Sequence, residues 1–112
     1  MKPNRELDTA DAEAAQDALF DAVLALKTRA EAQDFFKDLC TPAELQALTD
    51  RWTVVEPLIQ GVPYRDIANT TGVSVTTIGR VARFLTQGNG GYQRVFDRIS
   101  STQSARRKNE KK

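Results

Sequence analysis

The densest run of chemically useful side chains lies between Tyr64 and Leu85, which reads YRDIANTTGVSVTTIGRVARFL. Within it Ser74, Thr76, Thr77, Gly79, Arg80 and Arg83 follow at spacings that bring them together near the start of one helix. Threonine offers a hydroxyl to base edges and a methyl to thymine, and a helix fits the major groove of DNA. Ser74, read as the N-cap, sets the positive end of that helix where a phosphate would lie, while Gly79 permits close approach. Arg65 and Asn69, one helix earlier, and Arg83 suit phosphates, which position a protein without reading sequence. These residue types point to duplex binding and to no bond-making chemistry.

Other chemistries are thinly supplied. The chain has no histidine and one cysteine, Cys40. That removes His-based zinc sites, Ser-His triads, Cys-His dyads and any intrachain disulfide. Asp17 with Asp21, and Asp34 with Asp38, are pairs one helical turn apart, but no convergent partner accompanies them and they read as solvated faces. Gly88-Asn89-Gly90-Gly91 lacks the lysine and hydroxyl residue of a phosphate loop and reads as a helix terminator. Cys40 reads as a small apolar residue. No metal and no cofactor is expected, and the protein is not expected to be an enzyme.

The elements that must position the reading residues are helical throughout, since no stretch alternates apolar and polar residues between hairpin turns. A helix from about Tyr64 to Thr71, a turn at Gly72, and a second helix from Ser74 or Val75 make a helix-turn-helix. Ala68 allows the two to cross closely, and Ile67, Val73, Ile78 and Val81 pin them together. Ahead of the motif, a helix over about 11–27 carries Ala15, Leu19, Phe20, Val23, Leu24 and Leu26 in a stripe too wide for one small subunit to cover, so a second chain is expected on it. Thr28 and Glu31 form a capping box for a helix through about Leu39, its inner side Phe35, Phe36 and Leu39. Thr41-Pro42-Ala43-Glu44 opens a third, whose Leu45, Leu48, Trp52, Val55, Leu58 and Ile59 run on until Gly61. Pro57 predicts a kink within it. A last helix is expected over about 92–100.

The chain has 112 residues, of which 40% are apolar and 28% charged, the proportions of one globular domain. The net charge of +1 hides a division. Residues 1–50 carry eleven acids against five bases, a balance of −6, and residues 51–112 carry four acids against eleven bases, a balance of +7. A polarised chain of this kind suits a polyanion at one end. No window is long and apolar enough to cross a membrane, and Met1 to Asp8 lacks the pattern of a signal peptide, so a cytoplasmic, nucleoid-associated protein without membrane contact is expected.

The blocks LFDAVLALK, FFKDLCTPAELQALTDRW, TTIGRVARFL and QGNGGY, in that order over about Ala18 to Ile99, resemble the tryptophan repressor superfamily, and within it the YerC/YecD group of Trp-repressor-related proteins. The resemblance implies an all-α, Trp-repressor-like domain of about six helices with a helix-turn-helix. It also implies an intertwined homodimer holding two reading heads about one DNA turn apart for a palindromic operator. In the tryptophan-binding member two arginines sandwich the indole. Arg51 and Arg80 match them, and Thr41 matches a threonine of the same pocket. Val81 and Phe84 stand where the family has a glycine and a serine, so Phe84 is expected to fill the pocket and tryptophan is not the expected effector. The expected plan is a flexible arm over 1–10, the domain over 11–100 and a disordered basic tail over 101–112. The protein then acts as a sequence-specific, DNA-binding transcriptional regulator, a repressor on this resemblance, with an unknown small-molecule effector. The alternative is a helical protein-protein interaction module that reads no DNA.

Overall fold

The computed structural model describes residues 8–110, with side chains through residue 103. Its described residues form seven helices and no strand: α1 (Thr9–Leu24), α2 (Arg29–Leu39), α3 (Pro42–Thr53), α4 (Val55–Ile59), α5 (Tyr64–Thr71), α6 (Val75–Gln87) and α7 (Gly91–Glu110). No described helix is long and apolar enough to cross a membrane. The chain divides into two compact units, one ending at Pro42 and one beginning at Ala43.

In the first unit α1 begins ahead of the expected Asp11, because the Asp8 carboxylate accepts the N–H groups of Ala10 at 2.7 Å and Asp11 at 3.2 Å. It stops at Leu24, short of the expected Lys27. Of the expected arm, Thr9 and Ala10 are thus helical, and residues 1–7 lie outside the described residues. α2 is capped by Thr28, whose Oγ1 accepts the Glu31 N–H at 3.1 Å. Glu31 reaches one residue further back than a simple capping box, accepting the N–H of Lys27 at 2.9 Å. Phe35 and Phe36 meet edge to face at 5.5 Å. Neither helix has a fully buried residue. Phe20 is 56% exposed, Leu24 82% and Leu39 50%, so Leu39 does not lie on a covered side within this unit.

The second unit contains the core. Val54, Val55, Ile67, Val73, Ile78 and Val81 are buried, with Leu58, Ile59, Val62, Leu85, Tyr92 and Phe96 packed around them. Each such aliphatic side chain contributes about 1.5–3 kcal/mol on leaving water. Pro57 acts more strongly than a kink: the expected third helix is two helices, broken at Val54. Proline offers no N–H to the Thr53 carbonyl and its ring crowds that group, so α3 ends there and α4 restarts with the Leu58 N–H on the Val54 carbonyl at 3.2 Å. The break turns both Val54 and Val55 into the core. α7 begins at Gly91 and runs past Ser100 to Glu110, so the expected disordered tail is helical as far as that residue. Lys111 and Lys112 lie outside the described residues.

Candidate nucleic-acid interface

The helix-turn-helix occupies its expected place, and local bonds explain its sharpness. α5 closes at Gly72, whose φ of 79° is the left-handed conformation and whose N–H donates to the Ala68 carbonyl at 2.9 Å. Thr71 completes the turn: its Oγ1 donates to the Ile67 carbonyl at 2.6 Å and accepts the Val73 N–H at 3.1 Å. Sequence reasoning missed this residue, although a threonine immediately before the turn glycine is the available signal. Val73 is then drawn into the core beside Ile67.

Ser74 is the N-cap of α6. Its Oγ accepts the Thr77 N–H at 3.1 Å and also lies 3.1 Å from the Thr77 hydroxyl, to which it donates. Ile78, Val81 and Leu85 turn inward from α6. Thr76, Gly79, Arg80 and Arg83 share the opposite face by helical spacing, with Thr76, Arg80 and Arg83 exposed and Gly79 half-buried. Beyond its own helix, a methyl built on Gly79 meets nothing among the described residues within 4 Å, so there is room for one there. Thr77 differs from its neighbours: it is half-buried and its hydroxyl is engaged by Ser74. Arg65 and Asn69 are exposed, one turn apart on the face of α5 away from Ile67.

Beside α6 lies a cavity of about 560 Å³ lined by Arg51, Trp52, Arg80, Phe84, Tyr92 and Val95, together with Gly88, Asn89 and Gly91. Three of the four pocket candidates, Arg51, Arg80 and Phe84, are thus together. Thr41, the fourth, belongs to the first unit and is exposed just before α3. Phe84 forms one wall, 43% exposed, and leaves the cavity open where it was expected to fill it. Val81, which stands where the family has a glycine, is 1% exposed in the core. Its methyls fit among Ile67 and Ile78 and do not line the space. Trp52 and Tyr92 stack with ring centroids 6.4 Å apart, an aromatic wall that the sequence disguised by placing Trp52 in an apolar helical stripe. The Arg80 guanidinium carbon stands 5.5 Å from the centre of the Phe84 ring. Gly88 ends α6 at the lip: its N–H donates to the Phe84 carbonyl at 3.0 Å, and a Cβ built on it collides with that same carbonyl. Only glycine fits.

A family model described as Trp repressor protein matches residues 14–100. The chain belongs to the Trp repressor family. Among its relatives is the uncharacterized protein YerC of Bacillus subtilis (strain 168), 42% identical over 88 residues that make up 79% of this chain and 85% of that protein. The Trp-repressor-like fold recurs in two crystal structures. One, of a Staphylococcus aureus protein named as a candidate Trp repressor, aligns with a TM-score of 0.75 at 45% identity, over 78% of this chain and 87% of that one. The other, of a TrpR-like protein from Eubacterium eligens ATCC 27750, aligns with a TM-score of 0.75 at 45% identity, over 87% of this chain and 96% of that one. The Trp repressor family match spans both the helix-turn-helix and every residue around the cavity.

Proposed function

We propose that the protein is a sequence-specific DNA-binding transcriptional regulator that acts as a homodimer and represses. The observation that carries this is the outward face of α6, where Thr76, Gly79, Arg80 and Arg83 lie on a helix whose opposite face is fully spent on the core. Such a surface suits the major groove: Arg80 and Thr76 approach base edges, Gly79 leaves room, and Arg83, Arg65 and Asn69 take phosphates. Ser74 serves mainly as the cap, and Thr77 keeps the cap in place. The uncovered apolar residues of α1 support pairing with a second copy. A twofold dimer reads a palindromic operator with half-sites about 34–36 Å apart. The cavity beside Arg80 is the candidate effector pocket, its two arginines and aromatic walls suited to a flat molecule bearing a negative charge.

Selection from random oligonucleotides tests the proposal. Wild-type protein is expected to enrich a palindrome, with affinity falling steeply as salt rises. Arg80→Ala should lose about 1–3 kcal/mol at the selected site and relax the preference at one position, whereas Arg83→Ala should weaken all sequences evenly and lower the salt slope by about 1 per subunit. No enrichment and no salt dependence would return the protein to the class of helical interaction modules.

A further inference from the structure

We infer that Phe84 is a positioning residue for Arg80: its ring holds the guanidinium on the outward face of α6 and thereby sets base preference without itself touching DNA. This rests on the DNA-reading role proposed above. The core of the second unit is complete on the Ile78, Val81 and Leu85 side of α6, and Phe84 is excluded from it, 43% exposed in the wall of the cavity that Arg80 also lines. Core packing does not account for where its ring sits, and its nearest charged neighbour on α6 is Arg80. It follows Arg80 by one helical turn, and helical side chains lean toward the preceding turn, which carries the ring back under the guanidinium. The 5.5 Å separation lies within the range of attraction between a cation and a ring face.

The alternatives for holding an arginine are instructive. α6 contains no acidic residue anywhere between Val75 and Gln87, so no carboxylate on its own helix fixes Arg80. A carboxylate would also cancel the charge on which attraction to a duplex depends. A ring restrains the side chain and leaves its charge and its N–H donors available. Arginine otherwise carries about 2 kcal/mol of rotamer entropy that binding must remove, and a side chain already restrained loses less. The effect belongs to specificity because Arg80, not Arg83, is the arginine so held.

The test uses the full chain with Phe84→Leu, which keeps apolar bulk without a ring face, and Phe84→Tyr, which keeps the ring. In free wild-type protein the Arg80 side-chain protons should be shifted upfield by the ring in NMR spectra, a shift lost in Phe84→Leu and kept in Phe84→Tyr. On the selected operator Phe84→Leu should bind about two- to fivefold more weakly per half-site, with unchanged salt slope and unchanged affinity for random DNA. Phe84→Tyr should bind like wild type, and Phe84→Leu should cost nothing further in an Arg80→Ala background. Absence of the ring shift in wild type overturns the inference without reference to DNA. So does an equal loss from Phe84→Leu with and without Arg80, which marks a merely structural role. If wild-type protein selects no duplex, the DNA-reading role falls and this inference falls with it; if it selects one that Phe84→Leu binds equally well, only this inference falls.

Discussion

At position 79 a hydrogen stands where most helices have a side chain, and the sign of its effect depends on what approaches from outside. Beyond its chain neighbours and the backbone of its own helix, nothing among the described residues lies within 4 Å of a methyl built there, and the residue sits inside α6 with ordinary helical backbone. Gly79→Ala should therefore stabilise the free protein, by about 0.5–1 kcal/mol from helix propensity, seen as a higher melting temperature. Held against a groove, the same methyl occupies space meant for the duplex, so operator affinity should fall while stability rises. A variant that is more stable and binds equally well would show that DNA does not approach at Gly79. Gly72 supplies the contrast. It too has open space around a built methyl, yet its φ of 79° makes Gly72→Ala costly through the backbone alone, about 1–2 kcal/mol by denaturant unfolding. Two glycines with equally empty surroundings thus give opposite signs.

At the scale of elements, α6 is set by its first turn. Ser74→Ala removes the acceptor of the Thr77 N–H and should cost about 1 kcal/mol of stability, whereas Thr77→Val leaves that backbone donor on Ser74 and should cost less. Thermal unfolding of the two variants checks the order; equal losses would mean that the hydroxyl pair between Ser74 and Thr77 carries the cap. The boundaries of this motif were legible because each rests on a local rule: a left-handed glycine, a serine cap, an inward set at Ile67, Val73, Ile78 and Val81. Pro57 was legible as a disturbance but not in degree, since a kink and a full break differ by whether Val54 gains more from the core than a helical bond gives, a tertiary matter. The cavity was legible only through Arg51, Arg80 and Phe84. Trp52 and Tyr92 lie forty residues apart in the sequence, and only the folded unit brings their rings together. The helical extension of α7 beyond Ser100 was missed because the segment has no apolar stripe, the signal on which helix assignment rests.

At the scale of the whole molecule, the apolar residues that the first unit leaves uncovered and the division of charge along the chain belong to one argument. Phe20 at 56% and Leu24 at 82% exposure stand on α1, in the acidic half of the sequence. The positive surplus lies in the other half, which carries α6. A second copy paired through α1 would cover the apolar residues and leave the basic half free for a polyanion, whereas DNA approaching α1 would meet acids. Sedimentation at micromolar concentration should therefore find a dimer. Phe20→Glu with Leu24→Glu should shift it toward monomer, since buried like charges face each other across a twofold axis. The same double variant leaves α6 unchanged, so each half-site should still be recognised, but the joint occupancy of a palindrome should collapse toward the much weaker affinity of one reading head. Because dimerisation and half-site recognition are read separately, by sedimentation and by mobility shift on single and paired half-sites, a monomeric wild type would refute the pairing through α1, and undiminished palindrome binding by a monomeric variant would refute the need for two heads.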